Sequence, residues 1–292
     1  MREGVVIKAH GGFYYVQSKV DVYKCVLRGR FRLRDQQVLV GDQVKYEVTG
    51  AKSGVIENIL PRRTVLIRPL VANVDQAVVV FAVRNPDPLP LLLDRLLIQI
   101  QAAHVTPFIC FNKADLNRKG VVELISVYQK ASYRVLVTSA KDGTGLADLR
   151  EVLRVGISVL AGPSGVGKSS LLNALEPGLS LKTREVSARI KRGRHTTRHV
   201  ELLSLTNGGL VVDTPGFSNL FLPSLGRAEL AYFFREFRDD LLSCQFTGCL
   251  HYREPGCAVK KAVEEFKISS LRYNNYIKLL NEVIEQEKRK YD

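Results

Sequence analysis

The sequence predicts a multidomain chain with three consecutive units: an N-terminal β-barrel, a central α/β domain on a mostly parallel sheet, and a C-terminal helical unit. Three observations carry this. The first 67 residues pack several short β-branched and aromatic runs between glycine turns. From residue 70, apolar runs alternate with segments of helical periodicity. After residue 225, the sequence becomes polar and helical around a cluster of Cys and His. The expected divisions are residues 1–67, 70–225 and 226–292.

In the first unit, Gly4–Ala9, Phe13–Ser18, Val20–Arg28, Val38–Val40, Val44–Thr49 and Gly54–Leu60 read as strands. Five or six short strands in a basic segment suit an OB-fold, although an SH3-like barrel has similar strand content. Residues 1–68 carry 13 Lys+Arg against 6 Asp+Glu, the densest positive charge in a chain of net charge +14. That balance points to a polyanion partner such as nucleic acid.

In the second unit, Val74–Val83 is a near-continuous apolar run, as expected of a strand covered on both faces. Leu89–His104 reads as a helix, Val105–Phe111 as a strand, Val121–Lys130 as a helix and Tyr133–Thr138 as a strand. Leu146–Arg154 then reads as a helix, Ile157–Ala161 as a strand and Ser169–Leu175 as a helix. Val200–Leu205 and Leu210–Val212 flank Asn207-Gly208-Gly209 as a hairpin. In the third unit, Ile268–Lys290 is a long helix of mixed charge whose exposed face is expected to be solvated.

Composition excludes several classes. Hydrophobic content of 46% and charged content of 25% suit a globular chain. No apolar run approaches the roughly 20 residues that span a bilayer, and the start lacks a signal-peptide core, so a cytoplasmic protein without a membrane partner is expected. Five cysteines do not make a disulfide framework. Cys25 and Cys110 lie alone in apolar strands and read as core residues.

The chemistry starts at Gly162-Pro163-Ser164-Gly165-Val166-Gly167-Lys168-Ser169, with Ser170 following. A strand precedes this P-loop pattern and a helix follows it, so its backbone N–H groups can cradle phosphates at a helix N-terminus. Lys168 is expected on the β- and γ-phosphates and Ser169 on Mg²⁺. The loop names a phosphate but no base, and it also resembles that of guanylate-kinase-like enzymes. The base is suggested by Asn112-Lys113-Ala114-Asp115, whose Asp115 carboxylate can accept from guanine N1–H and N2, and by Ser139-Ala140-Lys141 after the next strand.

Asp213-Thr214-Pro215-Gly216 supplies a carboxylate for the Mg²⁺ shell and a Gly216 N–H for the γ-phosphate. Thr196 and Thr197 offer a hydroxyl that reaches Mg²⁺ only with triphosphate, Thr197 being the expected ligand. Together these motifs favour a protein that binds GTP and GDP and hydrolyses GTP. A nucleotide kinase and an RNA-binding module that merely holds GTP are the alternatives. The motif order is rotated, with base loops ahead of the P-loop, as if the usual ends were joined near Val155-Gly156 and the chain cut elsewhere.

Cys244-x4-Cys249-x-His251-x5-Cys257 offers three thiolates and one imidazole, a closed tetrahedral set expected to hold one structural Zn²⁺.

The rotated order, the basic barrel and this Cys/His spacing together make the chain resemble the bacterial RsgA family over essentially its whole length. The resemblance implies an OB-fold, a circularly permuted GTPase domain and a zinc-bearing helical domain. It also implies late assembly of the small ribosomal subunit, contact with its rRNA, and GTP hydrolysis stimulated by that subunit. Carried over to these positions, Asn112, Lys113 and Asp115 read guanine, Gly162 to Ser169 hold phosphates, Asp213 to Gly216 form switch II, and Cys244, Cys249, His251 and Cys257 bind zinc. The family lacks a water-orienting Gln after the switch II glycine, where this chain has Phe217. His195 is its candidate catalytic residue. The segment Lys182–Arg198 carries seven basic residues against Glu185, and is expected to meet ribosomal RNA phosphates. Nothing in the sequence requires a dimer, so a monomer is expected.

Overall fold

The computed structural model describes residues 1–19, 21–29, 37–67, 69–116, 121–179, 200–213 and 222–291. Its first strands alternate inward apolar and outward polar residues. They are β1 (Arg2–His10), β2 (Phe13–Ser18), β3 (Asp21–Leu27), β4 (Gln43–Gly50) and β5 (Ser53–Ile59). They pair in the order β1-β2-β3-β5-β4 and close through β4 back onto β1. The β3–β5 pairing is parallel, which a simple meander cannot produce, so the barrel is the OB-fold form. Val6, Val16, Tyr23, Cys25, Val44, Tyr46 and Ile56 fill it.

Five barrel strands form where the sequence offered six. Val38–Val40 is not a strand, although all three residues are buried. Their backbone groups bond elsewhere: Leu39 N–H donates to the Asp42 carboxylate at 2.7 Å, and Val40 O accepts from Ala72 N–H at 2.9 Å. Val38 joins the barrel core, while Val40 joins the core of the next unit. Between the barrel and the next unit lies a two-stranded ribbon of β6 (Val65–Ile67) and β7 (Leu70–Ala72).

The α/β unit runs β8 (Gln76–Ala82), α1 (Pro90–Ala102), β9 (Thr106–Asn112), α2 (Val122–Lys130), β10 (Val135–Val137), α3 (Leu146–Val152), β11 (Ile157–Ala161), α4 (Lys168–Leu175), β12 (Glu201–Ser204) and β13 (Leu210–Asp213). Every residue of β8 is buried, as its apolar run requires. The sheet order is β10-β9-β8-β11-β13-β12, parallel except for the β12–β13 hairpin. Connections after β8 move one way along the sheet, and those after β11 move the other. The change of direction lies between β8 and β11, where ligands enter at the carboxyl edge of an open α/β sheet.

A chain starting at the P-loop strand would read β11, β12, β13, β8, β9, β10. This chain starts at β8, and residues 153–156 join α3 to β11, so the domain is circularly permuted. Asp75 pins that junction by accepting from Ile157 N–H at 2.8 Å and pairing with Arg63 at 2.8 Å. At the opposite edge β12 pairs with β1, making barrel and domain one eleven-stranded sheet.

The C-terminal unit has three short 3-10 turns, then α5 (Ala258–Glu264) and α6 (Ser270–Tyr291). Phe234, Phe237, Tyr276, Leu279 and Leu280 form its core, and Ile98 of α1 enters it. Among the described residues no helix is long and apolar enough to cross a membrane.

Candidate nucleotide site and metal centre

The P-loop leaves the carboxyl end of β11 and turns into α4. Gly162 and Gly167 have φ of +135° and +95°, in a region that side chains disfavour. A Cβ at Gly162 would lie 2.1 Å from Val80 O, and one at Gly167 would lie 2.4 Å from Asn112 Nδ2. The second contact shows why the loop must be bare. It presses against the residue that ends β9.

Asn112 is 1% exposed and ties the end of β9 to two other segments. Its Nδ2 donates to Val166 O of the P-loop at 2.9 Å. Its Oδ1 accepts from Ala140 N–H and from Thr138 Oγ1, each at 3.3 Å. Ser139 Oγ donates to Asp115 Oδ1 at 2.9 Å and receives Lys141 N–H at 3.3 Å. Lys141 Nζ stands 4.0 Å from Asp115 Oδ2. One carboxylate oxygen of Asp115 is thus held, which orients the other. Lys113 has φ of +63°, and its ammonium donates to Asn85 O. Sequence reading missed Asn85. Its contribution is a backbone carbonyl, which no residue type announces.

Lys168 curls back over its own loop and donates to Gly162 O at 2.8 Å and Pro163 O at 2.7 Å. Burial pulls its pKa down to about 8. Such an ammonium lacks a full counter-charge, which an entering phosphate would supply.

Ser164, Gly165, Ser169 and Ser170 sit where the loop enters α4. Asp213 ends β13 at the same edge, but its side chain lies outside the described residues. His195, Thr196, Thr197, Gly216, Phe217 and the basic segment 182–198 also lie outside them.

In the C-terminal unit the ligand atoms of Cys244, Cys249, His251 and Cys257 lie within 4.8 Å of one another. Cys244 Sγ and Cys257 Sγ each stand 3.4 Å from His251 Nδ1 and 3.9 Å from each other. Burial pulls the His251 pKa down, which keeps the ring neutral and able to ligate. Burial, with the neighbouring thiols, pushes Cys249 up to about 12. Thiolates crowded like this need a cation, so the cluster is suited to a metal ion. Around it, Glu254 accepts the N–H groups of Leu250, Tyr252 and Arg253. Tyr273 and Tyr276 donate to the carbonyls of His251 and Leu250 at 2.8 and 2.7 Å. The loop is therefore held from both sides.

Comparison with known proteins agrees with this architecture. Residues 59–223 match the family model for the RsgA GTPase, and residues 3–56 match that for the RsgA N-terminal domain. The "Small ribosomal subunit biogenesis GTPase RsgA" of Moorella thermoacetica is 49% identical over 98% of this chain and 99% of its own. The protein of the same name from Alkaliphilus metalliredigens is 48% identical over 97% and 98%. The crystal structure of YjeQ from Thermotoga maritima superposes with a TM-score of 0.86 at 40% identity, covering 97% of this chain and 98% of that one. YloQ, described as a circularly permuted GTPase, superposes with a TM-score of 0.85 at 41% identity, covering 98% and 96%. With both family models matched in order along a circularly permuted P-loop domain, the chain belongs to the RsgA GTPase family.

Proposed function

We propose that this chain hydrolyses GTP to GDP and phosphate, binds the small ribosomal subunit through its rRNA, and acts in late assembly of that subunit. The observation that carries the reading is the Asn112 clasp, which locks a phosphate loop and a guanine-type loop into one crevice. A nucleotide kinase has no use for that second loop. The name its relatives carry points the same way.

In this reading Asp115 accepts from guanine, the Lys113 stem lies against the base, and Ser139, Ala140 and Lys141 frame it. Gly162, Pro163, Ser164, Gly165, Val166, Gly167, Lys168, Ser169 and Ser170 surround the phosphates. Gly216 N–H would reach the γ-phosphate, Asp213 would support the Mg²⁺ shell, and Thr196 and Thr197 would engage only with triphosphate. Ser169 and Thr197 would hold Mg²⁺, which when bound offsets charge on the β- and γ-oxygens. His195 positions the attacking water when ribosomal RNA contacts the basic segment around it. Phe217 cannot make such a hydrogen bond, so unaided turnover is slow. The units divide at 1–67, 70–225 and 226–292, and the protein works as a cytoplasmic monomer.

The metal is zinc. A tetrahedral Zn²⁺ with Zn–S of about 2.3 Å and Zn–N of about 2.0–2.1 Å requires S···S near 3.8 Å and S···N near 3.5 Å. The separations of 3.9 and 3.4 Å fit those edges. Elemental analysis should find one zinc per chain, and a different metal would overturn the assignment.

The central test is GTP hydrolysis with and without purified small subunits, with large subunits as control. Stimulation by small subunits alone is expected, and a flat response would sink the reading. His195→Ala should lose most of the stimulation while keeping nucleotide affinity. The pH dependence follows from Lys168. Its ammonium titrates near 8 without nucleotide, whereas bound phosphates would raise that value. Binding above pH 8 therefore takes up a proton, and GDP affinity should fall by up to tenfold per pH unit there, measured by fluorescent-GDP titration.

A further inference from the structure

The loop after β8 touches the base loop at one point, and the chemistry described so far gives that contact no task. β8 and β9 run side by side to their ends, where Ala82 pairs with Asn112 and Val83 N–H donates to Asn112 O at 2.8 Å. Past that point both chains turn through the left-handed region at a residue other than glycine. Asn85 has φ of +53° and Lys113 has φ of +63°. Such backbone is uncommon outside glycine and persists only where its surroundings hold it. The Asn85 side chain is exposed, so the residue type serves the backbone: asparagine is among the few residues that accept positive φ. In that conformation the Asn85 carbonyl accepts from the Lys113 ammonium. Between its two ends the lysine stem passes the bare Gly167 of the P-loop, where a Cβ would lie 4.0 Å from Lys113 Cε.

We propose that Asn85 is a positioning residue for the nucleotide base, its carbonyl holding the Lys113 stem as an apolar rail before the ligand arrives. The inference rests on the reading that Lys113 and Asp115 receive guanine, and it adds a residue from a strand that carries no base motif. A lysine has a long flexible stem and much rotamer freedom to lose. Here one end of the stem is fixed by the turn after β9 and the other by a carbonyl from the loop after β8. A base can lie on the methylenes without first ordering them, and preorganisation of this kind adds to affinity. A neutral carbonyl suits the task, because it satisfies the ammonium without adding negative charge to a site built for phosphates. The stem meets the face of the base, whereas Asp115 meets its edge. The two contributions can therefore be separated by a base that differs only at the edge.

The test measures the affinity of the full-length protein for fluorescent GDP, with inosine diphosphate, which lacks the N2 amino group, as competitor. Asn85→Val places a β-branched residue where positive φ is needed, and should weaken GDP binding by about five- to tenfold. The loss should lie mostly in faster release. Inosine diphosphate should weaken by the same factor, leaving the ratio of the two affinities unchanged. Asn85→Gly accepts the same backbone and should stay within about twofold of the unaltered protein. In a Lys113→Met background there is no ammonium to hold, so Asn85→Val should add nothing. Melting curves check that each variant is folded, and Asn85→Ala supplies the same series if the valine variant melts early. Unchanged GDP affinity in a folded Asn85→Val protein, or an equal loss in Asn85→Gly, would overturn the proposal. So would a shrunken preference for GDP over inosine diphosphate, or a full further loss in the Lys113→Met background. Subunit-stimulated hydrolysis by the unaltered protein is scored separately. Its absence would defeat the function proposed above, whereas its presence with a silent Asn85→Val would defeat only the rail.

Discussion

The α/β unit is fastened on two sides by different physics. Toward the barrel the seam is main-chain pairing with a few neutral or half-exposed side-chain contacts. β1 meets β12 at the register pair Lys8↔Glu201, and Ala72 N–H reaches Val40 O. Lys8 also pairs with Glu201 at 2.9 Å, Ser204 Oγ donates to Gln17 Oε1 at 2.8 Å, and Asn73 Nδ2 donates to Gly41 O at 3.0 Å. Within the barrel unit, next to this seam, Arg62 forks onto Asp42 at 2.7 and 2.9 Å. Toward the helical unit the seam is made of buried charge. Arg272 of α6, 2% exposed, reaches Asp94 of α1 and forks onto Glu236 at 2.6 and 3.1 Å. Asp94 also receives Tyr128 Oη and Asn275 Nδ2, each at 2.6 Å. The guanidinium lies against the rings of Phe234, Tyr128 and Tyr133. Burial pushes the Asp94 pKa up, and the Arg272 charge opposes that rise. A main-chain seam tolerates many side chains, whereas a buried charge cluster holds only with every partner present. The difference teaches that the helical unit is set in one orientation by specific residues, while the barrel is set by strand geometry.

Substitutions at three positions, graded by burial, can break or sharpen that contrast. Arg272→Ala strands two carboxylates in the interior and should cost about 3–5 kcal/mol in urea unfolding. Arg272→Lys should recover only part of this, because an ammonium cannot fork. A cost below about 1 kcal/mol would mean that the cluster is wet and the contrast false. Arg62→Ala should fall between, at about 1.5–3 kcal/mol, since Asp42 is fully buried but keeps its bond from Leu39 N–H. Glu201→Gln should cost less than about 1 kcal/mol, because that pair is half exposed. A larger loss would show that the barrel depends on charge after all.

Much of the candidate nucleotide site was legible because phosphate loops constrain residue type at fixed spacing. Gly162 and Gly167 must be bare, and Asn112, Asp115 and Lys168 act through side-chain chemistry that the letters declare. The metal cluster was legible for the same reason. The two seams were not. Asp94 reads as an ordinary polar position in an amphipathic helix, and Arg272 as part of a solvated charged helix, yet both are buried. Val38–Val40 reads as a strand because its residues are apolar, but apolarity reports burial rather than backbone pairing.

By itself the sequence determined most of the strands, helices and ligand loops, and the rotated order in which they come. These are local matters of periodicity, glycine placement and donor type. Only the tertiary structure decided how the units meet: that β1 adds to β12, that Asn112 ties the P-loop to the base loop, and that Arg272 finds Asp94 across 178 positions. The physical reason is distance along the chain. A buried charge or an edge strand is stable only with its partner, and neither carries a local mark of which distant residue that partner is.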